Sequence, residues 1–107
     1  MGWVMDRSAP LLTFAKAQEE IRRFVRRRGP GALSFPRHAR ERASERNFDA
    51  RDVEYVLMNG SIDEVDWDER FGSWRCRVRG TDVDGEDLTV IVALDPAWER
   101  ITIITGF

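Results

Sequence analysis

The sequence predicts an α+β domain in which N-terminal helices pack on one face of an antiparallel sheet of about four strands. Three observations predict it. Apolar residues recur at helical spacing over 8–28 and again over 50–58. From Ser61 onward the pattern changes to period two or to short apolar runs, in four blocks. Short turns rather than crossover helices separate those blocks, which makes the sheet an antiparallel meander.

Ser8–Arg28 reads as an amphipathic helix. Ser8 caps it and Pro10 suits its first turn. Leu11, Phe14, Ala17, Ile21, Phe24 and Val25 form its apolar stripe. The run RRFVRRR places cations in the last turn, where the helix dipole favours them, and Gly29-Pro30 ends it. Ala32–Phe35 is an edge strand or an extended lead-in. Pro36 opens a second helix, Arg37–Arg46, which Asn47 and Phe48 interrupt. Asp49 caps a third helix, Ala50–Met58, with Asp52 at the capping-box position. Val53, Val56 and Leu57 form its stripe and Asn59-Gly60 stops it.

Ile62–Trp67 is the first strand. Trp74–Arg79, the second, sends Trp74, Cys76 and Val78 to one face and Arg75, Arg77 and Arg79 to the other. Asp84-Gly85 signals a hairpin. Leu88–Leu94 is nearly all apolar, the pattern of a strand buried on both faces. Asp95-Pro96 turns the chain into the last strand, Ile101–Phe107.

At 107 residues the chain predicts one domain, 1–107. Within it lie the N-terminal helix (8–28), a His/Arg-bearing helical region (33–60) and the sheet (61–107). A 42% hydrophobic content excludes a disordered class. No apolar run approaches the roughly 20 residues of a membrane span. The first ten residues lack the cationic-then-apolar pattern of a secretory signal. The lone Cys76 excludes an internal disulfide and fits a reducing cytoplasm. One Cys and one His make no protein-only zinc site, so neither metal nor other cofactor is expected.

The net charge of −2 conceals an asymmetry. Residues 1–48 hold eleven Lys/Arg and five Asp/Glu, whereas residues 49–107 hold six and fourteen. An acidic chain is a poor nonspecific nucleic-acid binder, yet its basic half can still present a basic face. Mutual neutralisation of the two halves across the core is the alternative.

Site chemistry concentrates in Ser34–Arg46, SFPRHARERASER. Residues four apart share a helix face, so His38, Arg42 and Arg46 form one stripe, while Ala39 and Ala43 suit close packing. An imidazole moves protons near neutral pH, and guanidinium groups hold phosphate bidentately. RNA cleavage without a metal needs these parts. A solvated face, with Glu41 and Glu45 pairing with Arg37, Arg42 or Arg46, is the structural alternative. Arg75, Arg77 and Arg79 are a second candidate, an RNA-binding row that tracks a phosphate backbone. Cross-strand pairing with Asp63, Glu64 or Asp66 competes with that role. Trp67 and Trp74 are candidates for base stacking or for hairpin packing.

The run from Ser34 to Arg46, read as S-F-x-x-H-A-x-E-R-x-x-E-R, resembles the signature of a family of small bacterial proteins. The likeness continues through Trp74–Gly80, Leu88–Leu94 and Ile103–Phe107. Such proteins are similar to the RelE-like and MqsR-like toxins of type II toxin–antitoxin systems. The resemblance implies a metal-independent endoribonuclease acting on mRNA. It implies RNA as substrate and, as partner, a cognate antitoxin with zinc-finger and helix-turn-helix domains. Carried over by position, it makes His38, Arg42, Arg46 and Thr105 the catalytic residues. The alternative is a non-enzymatic interaction module, or an inactive relative, that binds a partner through the acidic C-terminal half.

Overall fold

The computed structural model describes residues 11–107. The order is α1 (Phe14–Arg28), a single 3-10 turn (Pro30–Ala32), α2 (Arg37–Arg46), α3 (Ala50–Asn59), then β1 (Ser61–Asp68), β2 (Ser73–Thr81), β3 (Asp87–Leu94) and β4 (Ile101–Gly106). The strands form one antiparallel sheet in the order β1-β2-β3-β4. The α+β meander expected from the sequence is the observed architecture.

The strand pleat sorts the sheet into two faces. On the inner face, three rows run across all four strands: Ile62–Val78–Val90–Gly106, Val65–Cys76–Val92–Ile103 and Trp67–Trp74–Leu94–Ile101. Most of these residues are buried. α1 packs on β1, and α3 packs on β2, β3 and α1. α2 runs along β4. The core therefore lies between the sheet's inner face and the helices.

α1 starts later than the sequence predicts. Thr13 is its N-cap, and its hydroxyl accepts from the Lys16 amide at 3.0 Å. Ser8 and Pro10 lie outside the described residues. Leu11 precedes the cap and is 92% exposed, so it is not part of the stripe. Ala17, Ile21, Phe24 and Val25 are buried as expected, joined by Glu20. Lys16, at 2.9 Å, and Arg23, at 3.4 Å, compensate the Glu20 carboxylate.

The capping box of α3 forms. Asp49 accepts from the Arg51 and Asp52 amides, and Asp52 accepts from the Asp49 amide at 3.0 Å. The other carboxylate oxygen of the buried Asp52 accepts from the Val83 amide at 3.1 Å, which ties α3 to the β2–β3 turn. Gly60 ends α3 in extended conformation. It is needed for space rather than for φ, because a Cβ there would lie 2.5 Å from the Arg79 carbonyl oxygen.

β3 departs from its expected double burial. Leu88, Val90, Val92 and Leu94 are buried, whereas Thr89, Ile91 and Ala93 are only half-buried. The strand is central in the sheet, so both of its edges are paired. Its apolar outward residues are shielded partly by neighbouring strands.

Nor do the two oppositely charged halves of the sequence pair with one another. Among the described residues, every ion pair joins groups within α1, within α2, or between β1 and β2. Side chains on one helix face or on paired strands lie within reach of each other, whereas groups on opposite sides of the core do not.

Candidate functional site

The segment before α2 is pinned to the free edge of β4. The Ser34 amide donates to the Ile101 carbonyl and the Ile103 amide donates to the Ser34 carbonyl, each at 2.8 Å. This one-residue bridge is the edge pairing anticipated for Ala32–Phe35. It sets where α2 begins. Pro36 is the N-cap and offers no side-chain acceptor to the first-turn amides. Ala39 and Ala43 are buried, as their small size allows, while His38, Arg42 and Arg46 stay exposed.

His38 faces a cleft of about 560 Å³ shared with Arg75, Arg100, Thr102, Ile104 and Phe71. Arg75 and Thr102 belong to the outer face, in the row Asp66–Arg75–Ala93–Thr102. A register shift between β3 and β4 leaves Ile104 as an extra residue, and it too lines the cleft. Arg100 comes from the β3–β4 turn. Neither Arg75 nor Arg100 makes an ion pair among the described residues. Each cleft carboxylate, Asp68 and Asp95, has one oxygen engaged by backbone donors. Asp68 accepts from the amides of Arg70 and Phe71, and Asp95 from that of Glu99.

The predicted residues are thus partly brought together. His38 and Arg75 share the cleft, and Arg42 and Arg46 continue along α2 outside it. Arg37 pairs with Glu41 at 3.1 Å, while Arg42 and Arg46 have no ion-pair partner among the described residues. Arg77 and Arg79 are spoken for by β1. Arg77 meets Asp63 at 2.7 Å and Glu64 at 3.8 Å, and Arg79 meets Asp63 at 3.5 Å. The hydrogen bond from Arg77 holds the Asp63 carboxyl below its ordinary range and raises the Arg77 guanidinium. Thr105 sits in the neighbouring row, Glu64–Arg77–Ile91–Thr105, and does not line the cleft. Its Oγ1 is buried with no hydrogen-bond partner among the described residues.

Trp67 and Trp74 pack edge-to-face with ring centroids 4.9 Å apart, and Trp74 is buried. They pack together beside the hairpin turn, with Trp67 half-buried. Burial, and secondarily the charge of Asp66, pushes the Cys76 thiol up to about 12, so it is not a nucleophile at neutral pH. Among the described residues no three His, Cys, Asp or Glu side chains converge as a metal site.

Residues 35–105 match a domain of unknown function, DUF4258. The chain belongs to the DUF4258 family. The matched region holds α2, α3 and the whole of β1–β3, and within it fall His38, Arg75, Arg100 and Thr102; α1 precedes it. No curated protein and no solved structure matches the chain.

Sequence reading passed over Phe71, Arg100 and Thr102. Each lies far from Ser34–Arg46 in sequence, and only sheet pairing assembles them beside His38. One local signal existed for Phe71: it is the sole large apolar side chain in DERFGS, a stretch otherwise made of turn residues.

Proposed function

We propose that this DUF4258 protein is a metal-independent endoribonuclease of the toxin type, working in the cleft beside α2. One observation carries the reading: His38, whose imidazole can serve as acid or base, shares a cleft with two guanidinium groups, Arg75 and Arg100, that make no ion pair among the described residues. Arg75 and Arg100 hold the scissile phosphate. His38 takes the proton of the adjacent 2′-hydroxyl, and O2′ bonds to phosphorus as the P–O5′ bond breaks. The proton then passes to the leaving O5′, which leaves a 2′,3′-cyclic phosphate and a 5′-hydroxyl. The guanidinium groups stabilise the charge that develops on the phosphoryl oxygens. Arg42 and Arg46 extend the cationic track along α2. In this reading the resemblance to RelE-like and MqsR-like toxins supplies the biological setting, with a cognate antitoxin as the silencing partner. Thr105, half-buried and off the cleft, acts on the site through β4 rather than by touching RNA.

Induced expression in a bacterial host tests the proposal. Wild-type protein is expected to arrest growth and to generate RNA fragments with 5′-hydroxyl ends. His38→Ala is expected to lower cleavage by about 10²- to 10⁴-fold. Equal growth and intact RNA with both proteins would sink the idea.

A second reading has its own observation. An adjoining groove of about 690 Å³ on the outer face is lined by Glu64, Asp66, Asp68 and Glu69, with Arg75 and Arg77 beside them. Asp66 and Glu69 are exposed and make no ion pair among the described residues. That surface suits a basic protein segment. Charge reversal at Asp66 and Glu69 that abolishes capture of a partner, with RNA untouched throughout, would favour a binding module over a nuclease. Asp68 is left out of that reversal because its carboxylate caps the β1–β2 turn.

A further inference from the structure

The β1–β2 turn raises a side chain that the reaction above does not use. Phe71 is 74% exposed, more than any other aromatic residue described. A phenylalanine left so open realises little of the free energy its burial would give. Yet the ring is not carried on a loose loop. Asp68 Oδ1 accepts from the Arg70 amide at 3.0 Å and the Phe71 amide at 3.3 Å. The Gly72 amide closes the turn on the Asp68 carbonyl at 2.8 Å, at a φ of 62°. The Trp67–Trp74 pair locks the strands immediately beneath. The backbone that carries the exposed ring is therefore held in place, and the ring lines the same cleft as His38, Arg75 and Arg100.

We infer that Phe71 is a stacking platform for one unpaired base of a single-stranded RNA whose phosphates lie on Arg75 and Arg100. The inference rests on the nuclease reading and adds its substrate class. Stacking requires an accessible ring, which the exposure of Phe71 supplies, and an unstacked base, which a duplex does not offer. The Arg70 guanidinium lies 5.7 Å from the ring centroid, so a cation accompanies the platform. The small size of the apolar surface favours nucleic acid over a protein partner at this spot. The apolar surface is a single ring set among Asp68, Glu69 and Arg70, too small for an interface core, while the cleft beside it offers free guanidinium groups. The groove on the β1 side sets Glu64, Asp66 and Glu69 beside Arg75 and an Arg77 already paired with Asp63, whereas α2 adds Arg42 and Arg46, so the strand leaves Phe71 toward α2.

Fluorescence anisotropy tests this with a labelled 2′-O-methyl octa-adenylate, which lacks the nucleophilic hydroxyl and cannot be cut. The same strand in a duplex and an abasic strand of equal length are the controls. Wild-type protein is expected to bind the single strand more tightly than either control. Phe71→Ala is expected to weaken that binding roughly 5- to 150-fold. Phe71→Trp is expected to restore it. Thermal melting of each variant confirms that the exposed position leaves the fold intact. Equal binding by F71A and wild type overturns the inference, as does equal binding of the abasic strand. Absence of binding to any strand also overturns it, and is the outcome expected if Phe71 contacts a protein. Phe71-dependent binding without cleavage of unmodified RNA leaves the platform standing and removes the nuclease; cleavage indifferent to F71A does the reverse.

Discussion

Two side chains in β4 and β2 separate chemistry from packing. Thr105 Oγ1 is buried without a partner among the described residues, and such a group costs stability. Thr105→Val keeps the β-branch and removes the orphan hydroxyl. It is expected to equal or exceed the parent in stability, by up to about 1 kcal/mol in urea melts. A fall in RNA cleavage alongside unchanged stability would assign the hydroxyl to the reaction. Cys76 belongs wholly to packing. Its thiol is buried in the inner-face row with Val65, Val92 and Ile103 and is pushed up to about 12. The native protein is expected to resist a thiol reagent until denaturant unfolds it.

The helices and strands meet at tight joints that limit what substitution can do. α3 ends against β2 so closely that a Cβ on Gly60 would lie 2.5 Å from the Arg79 carbonyl oxygen and 2.7 Å from that of Val56. Both neighbours are backbone, so relief requires α3 to move away from the sheet. Gly60→Ala is expected to cost about 2–3 kcal/mol, read by chemical denaturation. The Arg22 guanidinium reinforces the same joint by donating to the Gly60 carbonyl at 2.9 Å. α2 is held differently, by two small residues, Ala39 and Ala43, and by the Ser34 bridge to β4. That mounting keeps His38 at the cleft while leaving the helix's cationic side free.

For the molecule as a whole, the charges sort into local pairs and a cleft that keeps its cations unpaired. Hydrogen bonds hold the Asp63 carboxyl, through Arg77, and the Glu20 carboxyl, through Lys16, below their ordinary values of 3.8 and 4.5. A carboxyl with a depressed folded-state pKa makes the unfolded chain take up protons first as the pH drops. The stabilisation is therefore complete above those ordinary values and is lost as the pH falls through the folded-state ones. Thermal melts are expected to be level with respect to these two groups above about pH 5 and to decline below it. Asp63→Asn is expected to flatten part of that decline. The free cations of the cleft predict salt-sensitive RNA binding despite the chain's net charge of −2.

The sequence by itself determined the element order, the capping box at Asp49–Asp52, the alternation of β2 and the placing of His38, Arg42 and Arg46 on one helix. These depend on neighbours within a few residues, where spacing and side-chain type decide the outcome. The start of α1 was less legible, because Ser8 and Thr13 both carry a capping hydroxyl and only the packed stripe from Ala17 onward chooses between positions. Tertiary structure alone decided which arginines remain free. Arg75, Arg77 and Arg79 look alike in sequence, but the register shift in β1 brings Asp63 to the last two and leaves the first facing the cleft. Tertiary structure also brought Arg100 and Phe71 beside His38, since a site made by strand register and turn geometry has no signature in any one stretch of chain.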